Sequence, residues 1–147
     1  MQTDFNPELE YVGFWARLWA SIIDSVLVML IVAPLIYHFY GADYLQSDTM
    51  IKGPVDFILT WVFPALAVII FWIAKSATPG KMAIKAVIVD ASTGAKPTSA
   101  KLLIRYLGYY VSMLPLFLGF IWVAFDKKKQ GFHDKMANTV VVRKKKP

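Results

Sequence analysis

Residues 14–40, FWARLWASIIDSVLVMLIVAPLIYHFY, form an apolar run long enough to cross a bilayer. Arg17 and Asp24 interrupt its first half. A charged group in hydrocarbon costs at least about 2.5 kcal/mol, so such residues usually face protein or water. The run therefore predicts a transmembrane helix of about residues 14–40, in which these two side chains need a polar environment.

Two further apolar blocks occupy residues 55–74 and 106–125. Each approaches the roughly 20 apolar residues that cross about 30 Å of hydrocarbon as a helix. Apolar residues make up 57% of the 147-residue chain, and these blocks concentrate them. We therefore predict an integral membrane protein with a second helix over about residues 54–74.

The basic residues are concentrated in two segments. Of 16 Lys and Arg residues, six lie between Lys75 and Arg105 and eight lie between Lys127 and Lys146. Segments rich in Lys and Arg stay in the cytoplasm. We therefore expect both termini and residues 75–105 in the cytoplasm, with only residues 40–54 outside.

This placement also explains the net charge of +6 without nucleic acid as a partner. The basic runs at residues 127–129 and 144–146 are expected to contact anionic lipid headgroups and solvent. The chain has no cysteine, which excludes disulfides, a thiol nucleophile and thiolate metal ligands.

The third apolar block, residues 102–125, conflicts with a simple third crossing. One crossing would place the basic tail opposite the basic loop, whereas two full crossings need about 40 helical residues. We therefore predict a broken or re-entrant segment over residues 101–125, with Gly108, Pro115 and Gly119 as candidate break points. The alternative is an ordinary third span with an external tail.

The segments around these blocks show β character. Between residues 81 and 88, apolar Met82, Ile84, Ala86 and Ile88 alternate with a second set that includes the polar residues Lys81 and Lys85, which predicts a strand. The tail has a second, β-branched run at residues 139–142. We expect the two runs on the same side of the membrane, where they can pair in a small sheet.

The predicted fold class is an all-α membrane protein with two full transmembrane helices, a third broken or re-entrant apolar helical segment, and short cytoplasmic β-strands. We take residues 1–147 as a single membrane domain. Residues 75–100 are its cytoplasmic strand and turn loop, and residues 126–147 are its basic cytoplasmic tail.

Arg17 and Asp24 are seven residues apart, which places them on one helix face about 10.5 Å apart along the axis. Ala20 and Ser21 lie between them and allow close approach of another helix or water. Asp24 is expected near the bilayer midplane and Arg17 near the cytoplasmic interface. Asp24 is either a proton- or cation-handling carboxylate or a structural partner of an arginine or polar backbone.

The tail motif at residues 133–142 adds His133 and Asp134. They are either a proton relay, or Asp134 ties the tail to Arg17 or Arg105. We expect Arg17, Asp24 and Asp134 to form one charge cluster, directly or through water.

Enzyme motifs are absent from the sequence. The T-P-G-K stretch at residues 78–81 lacks the glycine pattern of a phosphate loop, and neither G-x-S-x-G nor H-E-x-x-H occurs. No two-histidine metal site is visible. We expect no enzymatic activity and no cofactor, and the sequence leaves metal binding open.

Several motifs together resemble the RDD family of bacterial membrane proteins. They are Y-x-G-F-x-x-R-x-x-A-x-x-x-D at residues 11–24, T-P-G-K at residues 78–81, Arg105 at the start of the third block, and H-D-x-x-A-x-T-V-V-V at residues 133–142. Asn138 stands where the closing motif often has a glycine, so the turn at this position is left open.

The family is named for one arginine and two aspartates, which match Arg17, Asp24 and Asp134. The resemblance implies a bacterial inner-membrane protein and transport of a small solute, with monovalent cation/proton antiport proposed for some members. A chain this small is expected to build any pathway at a subunit interface of a homo-oligomer. The alternative is a non-transporting scaffold or accessory subunit whose Arg-Asp-Asp set is structural.

Overall fold

A computed structural model of the protein describes residues 6–115 and 117–145. Helix α1, Phe14–Tyr40, is followed by a short 3₁₀ turn, Ala42–Gln46. The second span, Pro54–Lys75, consists of α2 (Pro54–Phe57), a π-turn (Ile58–Val62) and α3 (Phe63–Lys75). Both helices are long and apolar enough to cross a membrane, which confirms the two predicted transmembrane helices.

The third apolar segment is broken, as predicted. Helix α5, Ser99–Met113, is followed by α6, Leu118–Ile121, which a 3₁₀ turn, Trp122–Ala124, extends. The two parts are bent by 112°. The break lies between Met113 and Leu118, where Pro115 was a candidate; Leu116 in this predicted segment lies outside the described residues.

Gly108 and Gly119 are wrong as break points, because each lies inside a helix and serves close packing instead. A Cβ atom added at Gly108 would lie 2.7 Å from the Cα atom of His133. One added at Gly119 would lie 2.4 Å from the Cα atom of Ser112. Gly108 therefore lets the segment that contains His133 approach α5, and Gly119 lets the two parts of the bent pair pack against each other.

Three strands form an antiparallel sheet in the order β1-β3-β2. They are β1 (Leu9–Tyr11), β2 (Val87–Asp90) and β3 (Thr139–Lys144). The central strand β3 confirms the strand predicted in the tail, and its pairing with β2 confirms the expected small sheet. The sequence had not indicated β1.

The strand predicted over residues 81–88 is only partly right. Its first part is helical, in α4 (Pro79–Ala83), and β2 begins at Val87. Pro79 occupies the first helical position, where a backbone N–H group would have no intrahelical acceptor. Proline, which lacks this group, therefore loses no hydrogen bond there and favours the turn of helix. Met82, expected on the apolar face of a strand, is consequently exposed.

The sheet and the helices share one apolar core. Trp72 of α3 is fully buried there with Val12, Ile88, Leu102 and Val141. Because hydrogen-bonded strands cannot be separated by a bilayer, the chain before α1, after α3 and after α6 lies on one side, the sheet side. This excludes the alternative of an ordinary third span with its tail on the opposite side.

Cysteines introduced one at a time test this shared side. Asp48→Cys lies in the loop between the two spans, whereas Lys96→Cys and Lys144→Cys lie at exposed positions on the sheet side. An impermeant thiol reagent applied to intact cells should distinguish position 48 from the other two. Positions 96 and 144 should either both be labelled or both be protected, because one sheet joins the segments that contain them. Opposite labelling of these two positions would contradict the sheet.

Candidate functional site

Asp134, in the first turn of α7 (Phe132–Ala137), is fully buried between two arginines. Arg17 Nη1 lies 2.6 Å from its Oδ2 atom, and Arg105 Nη1 pairs with its Oδ1 atom. The Oδ2 atom also accepts a hydrogen bond from the backbone N–H of Gly131 at 2.9 Å. The carboxylate thus pairs with two guanidiniums and caps the start of α7.

The two arginines also bind backbone and side-chain oxygens of other segments. Arg17 donates from Nε to the carbonyl of Val12 at 3.0 Å and from Nη2 to the carbonyl of Lys129. Arg105 donates to Thr139 Oγ1 at 3.1 Å. The structure thus joins α1, α5 and the tail at one point, with the contacts expected if Asp134 ties the tail.

His133 is buried beside this point. Its Nδ1 atom lies 3.2 Å from Ser112 Oγ, its Nε2 atom lies 3.4 Å from Asp134 Oδ2, and its ring centroid lies 4.6 Å from that of Tyr109. Burial, and then the positive charges of nearby basic side chains, hold the pKa of His133 well below 6.5. A relay through this residue therefore begins from a neutral imidazole.

Asp24 binds a different partner. Its carboxylate accepts hydrogen bonds from Thr78 Oγ1 at 2.5 Å and from the backbone N–H of Gly80 at 2.7 Å. A Cβ atom added at Gly80 would lie 1.9 Å from the carbonyl oxygen of Ala20, so the backbones of α4 and α1 are in direct contact. Asp24 thus fastens the start of α4 to α1.

The expected cluster of three charged residues is therefore divided. Among the described residues, the hydrogen bonds of Asp24 reach neither Arg17 nor Asp134, so the direct version of the cluster is wrong. Two side chains on one helix face point in the same direction, but this does not determine which element packs against each of them. Ser21, the supporting residue between them, donates its hydroxyl to the carbonyl of Arg17 at 3.0 Å.

Two cavities meet at Asp24. The sheet-side cavity, about 570 Å³, lies between α1, α4 and the bent helix pair and is lined by Arg17, Lys81, Arg105 and His133. The loop-side cavity, about 760 Å³, lies between α1 and the second span and extends to the loop at residues 41–45. Asp24, Ser25 and Val68 line both cavities.

Sequence reasoning missed several buried charged residues, of which Lys81 and Asp56 bear on the site. The period-two pattern placed Lys81 among the polar positions, yet its side chain lines the sheet-side cavity. Asp56 is fully buried near the start of the second span, where it accepts hydrogen bonds from Tyr44, the Lys52 backbone and Thr60 at 2.5, 2.8 and 2.9 Å. The rule that drew attention to Asp24, a carboxylate in an apolar block, would have found Asp56.

Within residues 6–115 and 117–145, no group of three or more His, Asp or Glu side chains could hold a metal ion.

The substitution Arg17→Ala should destabilise the protein strongly, because it leaves the buried Asp134 with one fewer cationic partner. Breaking such a pair costs about 3–5 kcal/mol, or roughly 10 °C in Tm for a chain of this size. Tryptophan fluorescence during heating in detergent measures the change. Lys127→Ala, which removes an exposed cation, is the matched control. Equal Tm values for the two variants would contradict a stabilising role for the ion pair.

The neutral state of His133 should make stability depend on pH. The unfolded chain takes up a proton as the pH falls through 6.5, whereas the folded protein resists protonation. The stabilising contribution is therefore present above 6.5 and is lost toward the lower folded-state pKa.

Measurements of Tm between about pH 7.5 and about pH 5.5 test this dependence. The decrease in Tm should be smaller in His133→Gln, which does not titrate. His38→Gln removes an exposed imidazole from α1 and should leave the decrease unchanged. An identical decrease in all three proteins would show that His133 is not its source.

Comparison with known families matches residues 11–138 to the RDD family. The chain is similar to the uncharacterized protein RP437 of Rickettsia prowazekii (strain Madrid E), with 39% identity over 75 residues; this match covers 51% of the chain but only 41% of that protein. It is also similar to the uncharacterized membrane protein YteJ of Bacillus subtilis (strain 168), with 29% identity over 140 residues that cover 92% of the chain and 82% of YteJ. No solved structure matches.

The family match covers most of the chain and includes the Arg17, Asp24 and Asp134 motifs. It confirms the resemblance inferred from those motifs, and the two apolar spans agree with it. This multi-pass membrane protein belongs to the RDD family.

Proposed function

We propose that this protein carries a small solute or monovalent cation across the bacterial inner membrane, with Asp24 as the carboxylate that couples transport to a proton. The proposal assigns it no enzymatic activity. It includes cation/proton antiport as its most specific version. The observation that carries the proposal is the position of Asp24 at the junction of two cavities on opposite halves of the spans.

The proposed orientation has the sheet side in the cytoplasm. Fourteen of the 16 basic residues belong to the segments 75–105 and 127–146, which flank the membrane on that side. The loop between the spans has only Lys52. Both termini are therefore proposed to be cytoplasmic, and the basic tail is proposed to contact anionic headgroups.

A path between the cavities would pass the contact of Asp24 with α4. The two hydrogen bonds from Thr78 and Gly80 keep α4 against α1. A hydrogen bond from a backbone N–H to an ionised carboxylate is stronger than one to a neutral acid. Protonation of Asp24 therefore weakens the attachment of α4, and the proton state can control which cavity reaches the carboxylate.

The proposed functional unit is a homo-oligomer. In the apolar windows of the two spans, only 11% and 6% of the residues are buried within the chain. Two spans and one bent pair leave these helix faces available to lipid or to further copies of the chain. A pathway between copies would be enclosed on all sides.

A second candidate is a non-transporting scaffold or accessory subunit. The observation in its favour is that both aspartates of the RDD set already have protein partners. Asp134 pairs with two arginines, and Asp24 is hydrogen-bonded to α4. A purely structural role needs only these fixed contacts.

Asp24→Asn separates the two candidates. The asparagine Oδ1 atom can accept from the Gly80 N–H, and its Nδ2 group can donate to the Thr78 hydroxyl, so both contacts survive without a titratable group. In proteoliposomes that contain a pH-sensitive dye, wild-type protein should move protons in response to sodium, potassium or lithium gradients. The variant should fold but lose this coupled movement.

Asp43→Asn is the matched control, because it removes an exposed carboxylate from the loop and should retain the flux. The Tm of each variant shows whether it is folded. Coupled proton movement by Asp24→Asn at the wild-type rate would refute the coupling role of Asp24. Absence of flux with all three cations in folded wild-type protein would exclude the antiport version.

A further inference from the structure

Lys81 has a largely buried side chain whose ammonium group makes no hydrogen bond or ion pair with the described residues. Its exposed fraction is 7%, and its side chain lines the sheet-side cavity. Burial lowers the pKa of Lys81, and the charges of Arg105 and Arg17 lower it further, whereas Tyr109 and Asp24 act in the opposite direction. Buried charges in folded proteins are normally paired, so this group indicates a partner that enters the cavity.

The charges around this cavity do not cancel. Arg17, Lys81 and Arg105 contribute three positive charges, and Asp24 and Asp134 contribute two negative charges. With neutral His133, one positive charge remains. A singly charged anion would balance it.

Arg105 supplies a second unsatisfied donor. Its Nη1 group is used by Asp134 and Thr139, whereas its buried Nε–H has no hydrogen-bond partner among the described residues. This Nε atom has almost no accessible surface, so a ligand in the cavity meets the three donors of the Lys81 ammonium instead, and an oxygen-rich anion accepts several such hydrogen bonds at once. The unmet donors are therefore better matched to an oxyanion than to a halide.

The rest of the cavity wall favours an amphiphile. Apolar side chains provide most of it, including Phe14 and Leu18 of α1 and Phe117, Phe120 and Ile121 of the bent segment. Arg17 is three residues into α1, about 4.5 Å from its start. The exposed ring of Trp15 beside it is typical of the membrane interface, where lipid phosphates lie.

We infer that the sheet-side cavity binds a singly charged phosphate group through Lys81, with the phosphodiester of an anionic membrane lipid as the favoured source. The ammonium binds the phosphate oxygens, and the guanidinium groups of Arg17 and Arg105 in the cavity wall add positive charge near them. The apolar wall accommodates the adjoining part of the lipid. Free phosphate has the same recognition chemistry without an apolar portion, and the experiment distinguishes the two sources. The inference does not depend on transport.

Delipidated protein in non-ionic detergent provides the test. Native mass spectrometry measures retention of added phosphatidylglycerol, with zwitterionic phosphatidylcholine as the comparison. Wild-type protein should prefer phosphatidylglycerol, and Lys81→Gln should bind it about tenfold more weakly, the loss expected for one charge-assisted hydrogen bond. Lys81→Arg keeps the charge and should retain most of the binding.

Lys85→Gln is the matched control, because it removes an exposed lysine from the same turn and should bind as wild type. A parallel measurement of Tm with added inorganic phosphate tests the free anion. Stabilisation by phosphate that requires Lys81, without a preference for phosphatidylglycerol, would assign the site to free phosphate. In either case Lys81→Gln should not lose stability in the absence of anion, because the substitution removes an unpaired buried charge.

Two binding results, and one stability result given last, would overturn the inference. One is binding of both probes by folded Lys81→Gln at wild-type strength. The other is wild-type protein that neither prefers phosphatidylglycerol nor gains stability from phosphate. The second result needs no variant, so the inference can be tested even if Lys81→Gln does not fold. A loss of stability in Lys81→Gln without added anion would instead assign Lys81 to a structural ion pair with Asp24.

Discussion

Asp134 is a carboxylate without exposed surface, held between guanidiniums from two different helices. An unpaired charge there would cost several kcal/mol, and each pairing offsets that cost only if its arginine is correctly positioned. Arg17 positions α1, and Arg105 positions α5. Since Asp134 begins α7, the ion pairs fix both helices relative to the chain that enters the sheet. The rest of the fold depends on this three-residue contact.

The bend in the third apolar segment follows from the same contact. Arg105 lies in α5, whose start is next to the sheet side, and Asp134 must return to that side within the following residues. A straight span would carry α7 away from Arg105, whereas the 112° bend brings it back. Gly108 and Gly119 then allow His133 and Ser112 to approach at backbone distance. The third apolar segment therefore does not cross the membrane, because the chain after it must return to place Asp134 beside Arg105.

The sequence was sufficient where local pattern determines structure. Length and apolar content identified both spans, and the β-branched run identified β3. Asn138 also fits local chemistry: its φ of 53° is in the left-handed region, which asparagine adopts more readily than most other non-glycine residues do. These features require no knowledge of the neighbouring elements.

The sequence-based predictions were wrong where contacts with residues distant in the chain determine the position of a side chain. Lys81 was assigned to a polar strand position because apolar residues occupy every second position after it. Instead, Pro79 starts a helix that contains Lys81, and Asp24 holds that helix against α1. The spacing of Arg17 and Asp24 placed both residues on one helix face. It did not indicate that Thr78 and Gly80 bind Asp24 and not Arg17. Burial of Lys81 is a tertiary property, and no periodicity in the chain encodes it.

The charge at Lys81 also bears on the path to Asp24. Among the described residues, the loop-side cavity has Asp24 as its only charged lining residue. On the sheet side, a transported cation would have to pass Lys81, Arg17 and Arg105 before it reached the carboxylate. Like charges oppose this approach, and the surrounding apolar wall screens them weakly. A bound phosphate would cancel the surplus positive charge without occupying the hydrogen bonds of Asp24. The proposed anion binding at Lys81 and the proposed cation access to Asp24 are therefore compatible, and the first would remove the main electrostatic obstacle to the second.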